Sequence, residues 1–149
     1  MIEALILRAK AASYGGNGAR AAASRPGSHD LTFQDSDLSC RDSYFGGTGF
    51  LGQKVVRQGE QPIWAMNFYG RALRDDLLNA SQGGAVIKVA LSAIYRQARF
   101  PGGFVCLRLG FACHDQRQGD GRGFTGQEGI SKAGLLAYRR DGHGGLIRA

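Results

Sequence analysis

The sequence predicts an α+β domain in which antiparallel strands form a sheet and helices pack on one side of it. Three observations predict this class. Apolar residues alternate with polar ones in several short segments, which is typical of half-buried strands. Two other segments carry apolar residues at the spacing of an amphipathic helix. An internal repeat in the sequence, here called the echo, predicts that this set of helix and strands occurs twice.

The echo joins two cysteine motifs to two glycine motifs. Cys40-Arg41-Asp42 precedes Gly49-Phe50-Leu51-Gly52-Gln53, and the same order returns as Cys113-His114-Asp115 before Gly123-Phe124-Thr125-Gly126-Gln127. A repeat of this length is hard to obtain by chance. It therefore indicates two copies of one structural unit.

We predict a single domain over residues 1–149. It consists of a first repeat at about 1–70, a linker helix at about 71–84 and a second repeat at about 85–149. Two such halves bury their apolar faces best in one antiparallel sheet, or in two facing half-sheets, about a pseudo-two-fold axis. A cleft between related halves would then be the expected ligand site.

In the first repeat, a helix is predicted at the start and three strands after a long loop. Four apolar side chains at helical spacing mark the helix: Ile2, Leu5, Ile6 and Ala9. Glycine, serine and proline interrupt residues 14–30, which indicates a surface loop, and a short strand is predicted near residues 30–33. Alternation predicts a meander of three strands, at residues 38–44, 50–57 and 62–69.

The second repeat is predicted to follow the same plan. A short helix at residues 71–79 precedes a longer one at residues 85–99, which proline and glycine end. Strict alternation predicts a strand over residues 105–113. The glycines of residues 119–121 then turn the chain into a second hairpin. Residues 144–147 are predicted as a short strand at the edge of the sheet.

Composition and charge narrow the classes of protein. Hydrophobic residues are 43% and charged residues 21% of the chain, as in ordinary globular domains, and 24 glycines indicate many turns. The net charge of +7 is spread along the chain, so a nucleic-acid partner is not favoured. No signal peptide or apolar span is seen, which predicts a cytoplasmic protein without membrane contact.

Two glycine patterns resemble the dinucleotide-binding fingerprint. Gly47 to Gly52 and Gly121 to Gly126 both fit G-x-G-x-x-G. The fingerprint needs a helix directly after the third glycine, whereas Val55-Val56 favours a strand there. We therefore interpret both patterns as hairpin turns and predict no cofactor. The three histidines lack metal-ligand spacing, so no metal is predicted either.

Candidate site residues come from polar and aromatic positions on the predicted strands. Asp42 and Tyr44 share a strand face with apolar residues, where an unpaired carboxylate would be costly. His143 lies in a glycine-rich turn and is, with Asp42 and Tyr44, a weak candidate for acid or base chemistry. The candidate ligand-binding set is Asp42, Tyr44, Gln53, Trp64, Asn67, Tyr69 and Gln127. For most of these residues a structural role is the competing interpretation.

The order of residues resembles a family of short bacterial proteins of unassigned function, seen alone and after helix-turn-helix regulator domains. The resemblance rests on Asp42-Ser43-Tyr44, Phe50-x-Gly52-Gln53, Ile63-Trp64-x-Met66-Asn67-x-Tyr69-Gly70, Phe124-x-Gly126-Gln127 and His143-Gly144-Gly145. This chain departs from the pattern at Lys54, where the family has glutamate, and at residues 99–102. The family members that follow helix-turn-helix regulator domains imply that this domain is a sensor or interaction module.

We therefore expect a sensor-like module that binds a small polar or aromatic molecule between its two repeats. A small enzyme that uses Asp42, Tyr44 and His143 on a polar metabolite is the first alternative. A protein-interaction or oligomerising domain, such as a homodimer, is the second.

Overall fold

The computed structural model describes residues 2–11, 19–79, 81–82, 85, 104–108 and 110–148. These residues form helix α1 (Ile2–Lys10) and nine strands. The strands of the first half are β1 (Ala19–Ala21), β2 (His29–Asp35), β3 (Leu38–Gly46), β4 (Gly49–Gln58) and β5 (Gln61–Ala72). Those of the second half are β6 (Phe104–Arg108), β7 (Phe111–Asp120), β8 (Gly123–Lys132) and β9 (Leu135–Leu146).

All nine strands belong to one antiparallel sheet with the order β1-β2-β3-β4-β5-β9-β8-β7-β6. Each half is a meander, and the halves meet where β5 pairs with β9, from Trp64 opposite Leu146 to Ala72 opposite Tyr138. Each half therefore runs along the chain from one edge of the sheet to its centre, the first from β1 to β5 and the second from β6 to β9. The division of the chain into two repeats stays a prediction.

The predicted α+β class is wrong, because the described residues are almost entirely strand. Helix α1 lies where the first helix was predicted, but β5 continues to Ala72 and residues 75–77 form a turn where a linker helix was expected. The predicted helix at residues 85–99 lies outside the described residues except for Ala85. Residues 144–146 end β9 at the centre of the sheet, so the predicted edge strand is also wrong.

One face of the sheet, here called the helix face, carries the main core. Ile6 and Ala9 of α1 are buried against this face beside Trp64, Met66 and Phe68 of β5. Alternate residues of a strand point to opposite faces, so these three aromatic and sulfur-containing side chains share one side. Burying an aliphatic side chain such as Ile6 contributes about 1.5–3 kcal/mol, which attaches the short helix to the sheet.

The second half of the helix face has its own smaller core. Leu78, which follows the turn after β5, is buried there with Phe111, Ile130 and Tyr138. Phe50 contacts both cores and stacks on Tyr138 with ring centroids 6.3 Å apart. No helix of the described residues is long and apolar enough to cross a bilayer.

Two glycine turns close the hairpins that the sequence echo contains. Gly46 ends β3 with φ +95°, and Gly119 lies at the corresponding point of the β7–β8 hairpin with φ +88°. A Cβ at either position would lie 2.1 Å from a carbonyl oxygen, that of Gly49 or of Gly123. Left-handed backbone without room for a side chain explains why glycine occurs at both turns.

Candidate functional site

The alternation of the strands divides the predicted site residues between the two faces of the sheet. Asp42, Tyr44 and Trp64 belong to the helix face, together with Cys40 and Met66. The other face, here called the open face, carries the remaining candidates: Gln53, Asn67, Tyr69, Gln127 and His143. The predicted residues therefore form two separate groups and not one site.

On the helix face, Asp42 forms a buried ion pair that the sequence patterns did not predict. Its Oδ2 lies 3.1 Å from Nζ of Lys54, the directly opposite residue on β4. Asp42 is 5% exposed and Lys54 4% exposed. The carboxylate of Asp42 is thus compensated within the core, as a buried charge requires.

The two aromatic candidates of the helix face also lie within the packing. Trp64 is fully buried, stacks on Phe124 and donates its indole N–H to the carbonyl oxygen of Gly121 at 2.8 Å. Tyr44 is half-buried and contacts the rings of His29 and Phe50 at centroid distances of 5.2 and 6.5 Å. Trp64 therefore serves as a core residue.

The second half of the helix face holds a further set of buried and half-buried charges. Arg140 pairs with Glu128, and Asp115 lies 3.7 Å from Arg117. Burial lowers the pKa of Arg140, but the charges of Glu128, Tyr138 and Asp115 and the hydrogen bond to Glu128 together outweigh burial and raise that pKa. The hollow beside Arg140, at the junction of the two halves, measures about 10 Å³. That volume holds at most about one water molecule.

On the open face, three polar candidates form a hydrogen-bonded row across neighbouring strands. Gln53 Nε2 donates to Asn67 Oδ1 at 3.0 Å, and Asn67 Nδ2 lies 3.3 Å from His143 Nε2. All three side chains are exposed. Tyr69 follows two residues after Asn67 and is 46% exposed, while Gln127 lies in the same row of the sheet as Tyr69. The structure thus brings these five candidates onto one surface.

The acid–base set of the enzyme alternative does not meet. Asp42 is buried on the helix face of β3. His143 is exposed on the open face of β9, the third strand from β3. Tyr44 faces the same side as Asp42. The sheet itself separates the imidazole from both other groups.

A groove on the open face, over β3 and β4, was not among the predicted sites. Three arginines line it: Arg25 from the loop before β2, Arg41 from β3 and Arg57 from β4. Ser24 and Ser43 add two hydroxyl groups. Val55 and Gln53, two residues apart on the same face of β4, complete the lining. The groove has a volume of about 540 Å³, which is large enough for a small molecule.

A buried carboxylate on the neighbouring strand β2 holds two of the groove side chains in place. Asp30 accepts hydrogen bonds from Ser28 Oγ at 2.7 Å, Ser43 Oγ at 3.0 Å and Arg41 Nη1 at 2.9 Å. Burial alone would raise the pKa of Asp30, but the serine hydrogen bonds outweigh it and hold that pKa well below its usual range. Asp30 is therefore ionised at neutral pH and holds both Ser43 and Arg41 in place.

The same network attaches the loop that covers this end of the sheet. Arg25 Nη2 donates to Ser43 Oγ at 3.0 Å, and its backbone N–H donates to Ser28 Oγ at 3.2 Å. The guanidinium of Arg25 also lies 4.6 Å from the ring centroid of Phe45. Each guanidinium has five N–H donors. Among the described residues, the hydrogen bonds of Arg25 and Arg41 account for a minority of these donors.

The sequence contained part of the signal for this groove. Arg41 and Ser43 alternate with Asp42 on β3, and Gln53 and Arg57 lie on the same face of β4. Alternation alone therefore assigns these polar residues to one side. The position of Arg25 in a loop follows no period, so only the fold shows that it reaches Ser43. In the described part of the chain, no group of three or more metal-ligating side chains occurs.

Fold and groove together define an antiparallel-sheet protein with an arginine-lined groove on its exposed face. The chain belongs to the family of domains of unknown function DUF5680, which matches residues 42–147. Ser43, Gln53 and Arg57 lie within the matched part, and Arg25 and Arg41 lie before it. Comparison with curated proteins and with solved structures found no match.

Proposed function

We propose that this domain is a binding module for a small molecule that carries a phosphate or carboxylate group, held in the arginine groove of the open face. The single observation that carries the proposal is that three arginines from three separate segments of the chain line one groove. Guanidinium groups recognise phosphate and carboxylate oxygens through paired, charge-assisted hydrogen bonds.

The charge balance of the groove supports an anionic ligand. Asp30 is the carboxylate that contacts these arginines among the described residues, and it binds Arg41. Three positive charges therefore face one buried negative charge.

This proposal places the ligand on the open face and not in a cleft between halves. We prefer it to the enzyme alternative because Asp42 and His143 lie on opposite faces of the sheet. A sensor role, in which ligand binding is passed to a helix-turn-helix regulator, would fit the resemblance noted in the sequence and belongs to the same proposal. A protein-interaction or dimerising role is a further alternative.

The test is a titration with inorganic phosphate, and with acetate as the carboxylate probe, at constant ionic strength. A ligand at about a hundred times its Kd stabilises by roughly 2.7 kcal/mol, which raises Tm by roughly 5–10 °C in a domain of this size. Phosphate also stabilises proteins by exclusion from their surface. A rise in the Tm of the native protein alone therefore does not demonstrate binding in the groove.

Two arginine variants with the same loss of charge decide it. Arg57→Gln removes a groove arginine that is not part of the Asp30 network, and Arg122→Gln removes an exposed arginine outside the groove. We expect Arg57→Gln to weaken anion binding at least fivefold and Arg122→Gln to leave it unchanged. Equal binding by both variants would overturn the proposal.

A further inference from the structure

Two of the three groove arginines enter the groove at opposite ends. Arg25 Nη2 donates to Ser43 Oγ at 3.0 Å, which places this guanidinium group at one end. Arg57 lies on β4 directly opposite Ser39, towards the other end of β3. A strand rises by about 3.4 Å per residue, so Ser43 and Ser39 are about 13 Å apart along β3. Since both arginines line one groove, the groups that they bind are separated by no more than about this distance.

The middle of the groove is electrically balanced. Arg41 lies on β3 between Ser39 and Ser43, and its Nη1 forms an ion pair with the buried carboxylate of Asp30 at 2.9 Å. Val55, directly opposite Arg41 on β4, is half-buried and apolar. The middle therefore suits an uncharged part of a ligand.

The two ends each carry a positive charge that the described residues leave uncompensated. Neither Arg25 nor Arg57 forms an ion pair with a carboxylate in the described part of the chain. Arg25 instead donates to the neutral Ser43 and lies over the ring of Phe45. Two positive charges at a distance from each other thus remain for a ligand to compensate.

One guanidinium group at each end matches one carboxylate at each end. A carboxylate carries a single negative charge, and the planar fork of one guanidinium group binds it through two parallel hydrogen bonds. A phosphate ester carries about −1.5 to −2 charges at neutral pH and would exceed the single charge at either end. A ligand with one carboxylate would leave one of the two arginines uncompensated.

We infer that the ligand of this groove is a linear dicarboxylate, with one carboxylate on Arg25 beside Ser43, the other on Arg57, and its uncharged chain over Val55. This inference rests on the proposed function, because it divides the same groove into two anion sites.

The experiment compares suberate, octanoate and succinate by isothermal titration of the full chain at neutral pH and constant ionic strength. Suberate and octanoate have carbon chains of equal length and differ in the second carboxylate. We expect suberate to bind at least about tenfold more tightly than octanoate, because its second carboxylate binds within the same complex. Succinate holds two carboxylates on a shorter chain, and we expect it to bind several-fold more weakly than suberate.

The outcomes separate this inference from the proposed function. If acetate, phosphate or octanoate binds and suberate binds no more tightly than octanoate, the inference fails while the proposed function stands. If succinate equals or exceeds suberate, the placement of one carboxylate at each end is wrong and the inference fails. If none of these anions binds, the proposed function fails and the inference with it.

Arginine variants locate the two carboxylates. Arg57→Gln should reduce the affinity for suberate to that for octanoate, because one carboxylate then lacks its cation. Arg122→Gln removes an exposed positive charge outside the groove and should keep the full preference for suberate. Arg25→Gln should abolish the preference from the other end, and its Tm is measured as well because it also loses the hydrogen bond to Ser43. An undiminished preference for suberate in Arg57→Gln would overturn the inference.

Discussion

The indole nitrogen of Trp64 donates a hydrogen bond of 2.8 Å to the carbonyl oxygen of Gly121, across the two halves of the sheet. Gly121 lies in the turn between β7 and β8, and its N–H donates to Oε1 of Glu3 in α1 at 3.1 Å. One backbone residue thus connects the central strand β5, the helix and the second hairpin. Because the Trp64 bond is buried, its loss would leave a carbonyl group without water.

Trp64→Phe should therefore destabilise the protein beyond the loss of packing. We expect about 1–3 kcal/mol for the unsatisfied carbonyl group, together with a cavity cost where the indole ring was. Urea unfolding followed by far-ultraviolet circular dichroism measures this loss of stability. Tryptophan fluorescence cannot follow it, because Trp64 is the one tryptophan of the chain and the variant lacks it. Glu3→Gln keeps an oxygen acceptor for Gly121 and should change little. A loss below about 0.5 kcal/mol for Trp64→Phe would contradict the assignment.

The buried Asp42–Lys54 pair predicts a non-additive pair of substitutions. Lys54→Met leaves the Asp42 carboxylate buried without its cation, and we expect a loss of about 3–5 kcal/mol. Replacing both residues, with Asp42→Asn beside Lys54→Met, should recover much of this loss. Urea unfolding of the single and double variants gives the coupling energy. Additive losses would show that the two charges do not depend on each other.

Asp30 predicts an acid-sensitive contribution to stability. Its pKa is lower in the folded protein than the ordinary value of 3.8, because its serine hydrogen bonds outweigh burial. A lowered folded pKa means that the contribution is complete above the unfolded value and is lost as pH falls through the folded one. Unfolding measured between pH 7 and pH 2 should therefore show a decline that begins near pH 4–5.

Asp30→Asn tests that origin. The variant should be less stable at pH 7 by roughly 1–3 kcal/mol and should show a flatter decline in acid. Asp76→Asn is the matched control. The Arg74 hydrogen bond also lowers the pKa of Asp76, but that pair is exposed to solvent, so it should contribute little. Identical acid profiles for Asp30→Asn and the native protein would refute the role of Asp30.

The two glycine turns predict a selective intolerance of side chains. Gly46→Ala and Gly119→Ala should each cost more than about 1 kcal/mol, since both need a left-handed backbone and a Cβ would overlap a carbonyl oxygen. Gly47→Ala is the control, because a Cβ there meets no described atom within 4 Å. Thermal unfolding of the three variants compares them. Equal Tm values for Gly46→Ala and Gly47→Ala would contradict this account of the turn.

Local patterns in the sequence identified the strands of the first half and helix α1, but they misassigned residues 71–79 as a helix. Alternation in residues 38–44, 50–57 and 62–69 corresponds to β3, β4 and β5, because each strand buries one face and period-2 patterning records that directly. The helix predicted at residues 71–79 is absent, because β5 continues to Ala72 and residues 75–77 form a turn. Leu77 ends this turn, Leu78 follows it, and both pack on the second core.

The sequence by itself determined which residues share a face of the sheet and where the hairpins turn, since both depend on neighbours along the chain. It assigned Asp42 and Tyr44 to one side of β3 and placed glycine at both tight turns. It also selected Gln53, Asn67 and Tyr69 as candidates, although not as members of a surface separate from Asp42 and Trp64.

Only the tertiary structure decided how those faces combine. The pairing of β5 with β9 brings His143 beside Asn67, residues far apart in the chain. The loop before β2 carries Arg25 onto Ser43, and α1 covers Trp64 and thereby makes the helix face the core. Such contacts depend on strand order and loop path, for which no local period exists. Burial of Asp42 and exposure of the arginine groove follow from that arrangement.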